Sequence, residues 1–141
     1  MTFSNSIENQ VLNAVCGAVA YTPDVTYYVG LSTADPTDDA SGNAEPSAGS
    51  YARVTITNNE TTWGAAGSSS ARANAITIDF PESTAAWEAG ADLTHFAIWS
   101  HATNETSSDL VCTGALDTAR AVAAAGVTLS FAVGALDVTL N

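Results

Sequence analysis

Beyond residue 25 the apolar residues of this chain recur at every second position in short runs broken by turn residues, which is the pattern of half-buried strands. In Thr26–Ser32, Tyr27, Val29 and Leu31 share one face while Thr26, Tyr28 and Gly30 share the other, so both faces carry material to bury. A short run at Tyr51–Thr57 follows. Asn74–Phe80 sets Ile76, Ile78 and Phe80 inward against Thr77 and Asp79, and Thr94–Ser100 sets Phe96 and Ile98 inward against His95 and Trp99. Leu110–Leu116, Ala119–Val122, Val127–Phe131 and Ala135–Leu140 complete a set of about eight strands, the number expected of a sandwich rather than of alternating βα units. The fold class read from this pattern is mainly β, an antiparallel, jelly-roll-like β-sandwich in one domain spanning residues 1–141. Two segments lack periodicity and are rich in Asp, Pro, Gly, Ser and Ala, giving long exposed loops over 33–50 and 58–73.

Ahead of the strands the period is 3.6. Ile7, Val11, Leu12, Val15, Cys16 and Val19 fall on one side of a helix predicted over 6–20, with Asn5 and Glu8 as its capping pair and Pro23-Asp24 as its stop. The apolar face of this helix needs a partner, either the sheet of its own domain or the same helix of a neighbouring subunit.

Charge narrows function more than fold. Fifteen acidic residues face three basic ones, Arg53, Arg72 and Arg120, and the chain has no lysine, for a net charge of −12. Such a surface repels phosphate and anionic lipid, which argues against nucleic-acid partners and membrane insertion. It also repels itself, and this repulsion falls as the Debye length shrinks from ~8 Å in physiological salt to ~3 Å near 1 M. The balance suits very salty water and is similar to that of proteins of haloarchaea and their viruses. The first residues have neither a basic n-region nor an apolar h-region, so synthesis without a signal peptide is expected, in the host cytoplasm.

Catalytic chemistry finds little to work with. A Gly-x-Ser-x-Gly elbow and a lysine-bearing phosphate loop are both missing from the sequence, so no catalytic residue and no cofactor are assigned. Cys112 and His95 are weighed as a thiol pair, but Cys112 shares its strand face with Leu110 and Leu116. Cys16 and Cys112 therefore read as two small buried apolar residues rather than a disulfide or a ligand pair. His95, His101 and Asp109 do not reproduce a zinc spacing. Asp35, Asp38 and Asp39 are weak calcium candidates without the spacing of an EF-hand, and Asn59 and Asn104 head Asn-Glu-Thr sequons as glycosylation candidates.

Several phrases, in order, carry a resemblance: Gly30-Leu-Ser-Thr-Ala-Asp-Pro36, Gly49-Ser-Tyr-Ala-Arg-Val54, Ile78-Asp-Phe-Pro81 with Trp87, Thr94-His-Phe-Ala-Ile-Trp99, Gly126-Val-Thr-Leu-Ser-Phe131 and Gly134-Ala-Leu-Asp-Val-Thr-Leu140. Together they resemble a family of small tail-fibre-like virion proteins of tailed phages. The resemblance implies a β-sandwich acting as a non-catalytic particle component. On this reading the chain is a capsid decoration protein on the particle exterior, and the alternative is a tail-fibre or spike module whose loops after residues 33 and 63 touch the host. Its expected partners are itself, as a trimer or pentamer, and the major capsid protein or tail proteins. The residues expected at interfaces are Ile7, Val11, Leu12 and Val15 on the helix, Arg53, which pairs with a carboxylate within or between subunits, and Trp63 and Trp87, which anchor a core or an interface.

Overall fold

The β-branched and aromatic run at Thr26–Ser32 forms the middle of the molecule. In the computed structural model, which describes residues 1–65 and 71–139, it pairs on both sides and its two faces are both covered. The chain order is β1 (Thr2–Phe3), α1 (Asn5–Cys16), β2 (Thr26–Ser32), β3 (Val54–Thr57), a helical turn α2 (Glu60–Trp63), β4 (Ala71–Ala73), β5 (Ile78–Asp79), a 3-10 turn (Trp87–Gly90), β6 (Asp92–Trp99), β7 (Leu110–Ala121), β8 (Ser130–Phe131) and β9 (Asp137–Thr139). Five strands make one antiparallel sheet in the order β1-β7-β6-β2-β3, and two ribbons, β4-β9 and β5-β8, lie apart from it. The fold is thus mainly β and sandwich-like, with one helix near its start.

Register decides which side chains meet. Val29 pairs with Ile98 and Val54, Leu31 with Phe96, Tyr27 with Ile56, and Ile98 with Cys112. Directly opposed residues share a face, so these form one apolar surface. It packs with Trp63, Ile78, Phe80, Trp87, Val122 and Leu136 into one core, with Phe131 and Val138 partly buried beside them. The opposite face carries Tyr28, Gly30, Ser32, Ala97 and Trp99.

Several expectations are corrected. The 33–50 segment is a loop with half of its residues exposed, but it does not stand free: it folds across the second face of the sheet. Pro36, Ala40 and Pro46 are buried there, the Thr33 N–H donates to the Ala44 carbonyl (3.0 Å), and the Ala44 N–H to Ser32 Oγ (3.0 Å). Ala40 packs with Ala97, Trp99 and Leu110, so Trp99 lies on the predicted face but is fully buried. Ile76, expected inside, is 37% exposed, because β5 begins only at Ile78. The 58–73 segment contains α2 and β4, and its residues 66–70, like Leu140 of the last predicted strand, lie outside the described residues. The two runs expected at Leu110–Leu116 and Ala119–Val122 are one twelve-residue strand.

The helix is also shorter than 6–20. Ser4, not Asn5, caps it. The Ile7 N–H donates to Ser4 Oγ (3.3 Å), and the Ser4 hydroxyl donates to the Leu110 carbonyl (2.5 Å), tying the helix start to β7. The helix ends at Cys16, where the Gly17 N–H donates back to the Asn13 carbonyl and Ala18 turns to φ 54°. Gly17 thus stops the helix six residues before Pro23, and Cys16, expected buried, is exposed at its end. Cys112 is the buried cysteine, and burial pushes its thiol up to about 12.

Candidate assembly surface and its buried ion pair

The helix presents half of its apolar stripe to its own domain. Ile7 packs against the core and Val11 lines an apolar cleft of about 450 Å³ shared with Phe3, Tyr27, Trp63 and Val138. The rest of the stripe faces outward: Leu12 and Val19 are 59% exposed, Val15 78%, and Val25 just beyond is 77% exposed. No residue of α1 is fully buried. Contiguous exposed apolar side chains of this kind mark contact surfaces more often than isolated ones do. They also sit in the least charged part of the molecule, since Glu8 is the only acidic side chain among residues 1–23.

Arg53 lies elsewhere and faces inward. Its side chain is 3% exposed and that of Glu45 is 7% exposed. The Nη2 group donates to Glu45 Oε2 (2.6 Å) and Nε to Oε1 and Oε2 (3.0 and 2.9 Å). This is the fork-on-carboxylate geometry that favours arginine over lysine. Nη1 donates to the carbonyls of His101 (2.7 Å) and Asn104 (2.8 Å), so the same guanidinium clamps the turn after β6. The guanidinium carbon stands 4.1 Å over the Trp99 ring. Among the described residues the Trp99 indole N–H has no hydrogen-bond partner, so this stacking is the main polar contact of that ring.

Tyr51 completes the network. Its hydroxyl donates to Glu45 Oε1 (2.6 Å) and accepts from the Leu31 N–H (2.7 Å). The edge of β2 past the end of β3 is thereby closed with a side chain instead of a strand. Burial, then the Glu45 charge and hydrogen bond, push its phenol far above the ordinary range, so it remains a donor. Gly30 explains why the carboxylate can lie here: a Cβ at that position would run into the Glu45 carboxyl and stand 3.2 Å from the Tyr51 oxygen. At the carboxylate's outer side Glu105, 3.9 Å from Arg53, is held above the usual carboxylate range by burial and by the adjacent Glu45. The sequence singles out Arg53 but not Glu45, which is the acid next to Pro46 in an aperiodic loop.

Other expected site residues separate. Trp63 (6% exposed) and Trp87 (fully buried) are core residues of this domain, so neither offers a surface to a partner. The Trp87 indole N–H donates to the Gly49 carbonyl (3.0 Å). Gly49 sits at φ 66°, in the region open to glycine, and a Cβ there would lie 2.8 Å from the Trp87 ring. The calcium candidates do not converge. Asp35 accepts from the Thr37 N–H (3.0 Å), and Asp39 accepts from the Thr37 hydroxyl (2.7 Å) and the Ser41 N–H (3.0 Å); the Ser41 and Thr37 hydroxyls, then the Ser41 N–H, hold its carboxyl down to about 2. Asp38 stays exposed while its carbonyl accepts from the Asn5 N–H. Among the described residues no group of three or more acidic, His or Cys side chains is placed to hold a metal ion.

His95 and Cys112 fall on opposite faces of the sheet, since His95 pairs with Ser32 and Cys112 with Ile98, and no thiol pair forms. His101 Nδ1 instead accepts from the Thr103 and Asn104 N–H groups in the turn that Arg53 clamps. Both sequon asparagines lie at the surface: Asn59 caps α2 by accepting from the Thr62 N–H (3.0 Å), and Asn104 meets Arg53 through its carbonyl.

Residues 2–139 match the model of a family described as podophage GP4 fiber I protein gp80. The chain belongs to this family. No curated protein matches it. As a member of a phage fibre family the protein is a virion component, and the fibre alternative rather than capsid decoration is the reading that the family supports. Among the described residues of this fibre-family protein, no helix is long and apolar enough to cross a membrane.

Proposed function

We propose that this fibre-family protein is a non-enzymatic structural module of a viral tail, which self-associates through the outward face of α1. The observation that carries the assembly part is the pairing of exposure with neutrality: Leu12, Val15 and Val19 are exposed where acidic side chains are nearly absent, in a chain whose other surfaces repel a second copy. Cyclic assembly places the same patch of every copy around one axis, and three copies suit a fibre. The adjoining apolar cleft at Val11 offers a groove into which a neighbour's Leu12 or Val15 can seat.

Light scattering on the purified chain tests this. The wild type is expected to run as a trimer, and Leu12→Asp with Val15→Asp as a folded monomer, since both side chains are exposed and the core does not need them. A monomeric wild type, or a double variant with unchanged mass, would sink the assembly proposal. Position on the particle tests the tail part: gold-labelled antibody to the chain should decorate tails, and label spread over the shell would favour decoration instead.

The proposal extends to brine. With fifteen acids, three cations and two of those cations in ion pairs with glutamates, most of the acidic surface is left to solvent and counterions. A virus of a highly saline host is the setting in which this surface is stable.

A further inference from the structure

We infer that the cleft between β7 and β8 is a binding site for a neutral saccharide, an inference that rests on the fibre reading and gives that fibre something to grip. The cleft has about 480 Å³ of space. Small-molecule sites span roughly 300 to roughly 1000 Å³, so it is large enough for a sugar ring. Its position follows from an irregularity in β7. Leu93 pairs with Arg120 and His95 with Ala115, so four residues, Leu116–Ala119, stand opposite the single Thr94. A bulge of this size pushes Asp117 and Thr118 out of the ladder, and bulges recur beside functional sites because they re-aim side chains.

The lining has two characters. Phe131, half-buried, is the aromatic ring open to the cleft, and it stands edge-on at 6.1 Å from Phe80 and from Phe96, which belong to the core beneath it. Asp117, Arg120 and Thr128 are exposed around it. Arg53 and Arg72 both have glutamate partners, whereas Arg120 makes no ion pair or side-chain hydrogen bond among the described residues. A pyranose suits this combination: its C–H face rests on an aromatic ring, and adjacent hydroxyls accept from a guanidinium and donate to a carboxylate. An anionic ligand suits it less, because Asp117 lines the cleft and the whole chain carries −12.

The test is a titration of the full isotope-labelled chain, followed by NMR, with glucose, galactose, mannose, N-acetylglucosamine, their β-linked disaccharides, and glucuronate as the acidic arm. At least one neutral sugar should shift amides of 116–121 and 128–131. Asp117→Ala and Arg120→Ala, both at exposed side chains, should each weaken it about tenfold, the loss of one charge-assisted hydrogen bond. No shift with any neutral sugar, tighter binding of glucuronate, or wild-type affinity in Asp117→Ala would each overturn the inference. Antibody labelling of tails is read independently: sugar binding that fails while tails are labelled sinks this site alone, and labelling that fails while sugar binds sinks the fibre reading alone.

Discussion

Arg53→Ala is expected to lower the stability of the fold by about 3–5 kcal/mol, the range for breaking a buried ion pair by removing one partner. The change leaves the Glu45 carboxylate under the 33–50 segment with the Tyr51 hydroxyl as its remaining side-chain donor, releases the carbonyls of His101 and Asn104, and takes the stacked guanidinium off Trp99. For a chain of this length that corresponds to a fall of roughly 10 °C or more in melting temperature. Glu45→Gln combined with Arg53→Met removes both charges while keeping much of the volume, and should cost less than Arg53→Ala alone. Thermal melts of the three chains decide the matter: an Arg53→Ala loss under about 1 kcal/mol, the value of an exposed pair, would mean that this network does not hold the loop on the sheet.

The second large effect is on salt. The chain carries −12. Spread over a compact sphere of the size expected for this length, that charge gives a screened Coulomb repulsion that falls by about 3 kcal/mol between ~0.15 M and ~1 M salt. The unfolded chain is repelled too, though less because it is expanded, so roughly half of that difference remains as added stability. A rise in melting temperature of about 5 °C is expected over this range, most of it below ~1 M, where the Debye length changes fastest. The direction follows from sign alone: like charges dominate, so screening must favour the compact state. A melting temperature that stays flat or falls from about 0.15 M to about 2 M sodium chloride would contradict the reading of this surface as adapted to brine, a reading that the fibre family itself does not require.

The parts of this fold written in periodicity were legible, and the parts made by covering were not. The alternation of Tyr27, Val29 and Leu31 gives the inner face of β2 correctly, and its pairing with Phe96 and Ile98 follows from the same parity. Parity also puts Trp99 on the other face, but it does not say whether a face meets water. That depended on the 33–50 segment, whose buried residues Pro36, Ala40 and Pro46 are too small and too irregularly spaced to give a hydrophobic signal. The strand over Leu110–Ala121 reads as two in sequence because its bulge carries Asp117 and Thr118, a pair suited to a turn. Helix length is hidden for a similar reason: Val19 continues the apolar spacing past Gly17, and a glycine in a helical pattern is ambiguous until its hydrogen bond is seen.

The Arg53 network shows the same division. An arginine in a lysine-free chain of fifteen acids calls for a carboxylate, and the structure supplies one eight residues away, inside the domain. What identifies that carboxylate is Gly30, on a strand distant from Glu45 in sequence, because only a residue without a Cβ leaves room for it. Contacts of this kind depend on tertiary geometry, and a single sequence carries no period from which to read them. The exposed stripe at Leu12 and Val15 is the converse case: the sequence named it, left its partner open, and the fold of one chain does not cover it.

The central claim, that this protein is a tail-fibre component and not a coat on the capsid, is tested most directly by counting its copies per purified particle with quantitative mass spectrometry. A few to a few dozen copies, in multiples of the fibre's symmetry, is the result expected here. Hundreds of copies in a fixed ratio to the major capsid protein, or none, would contradict it.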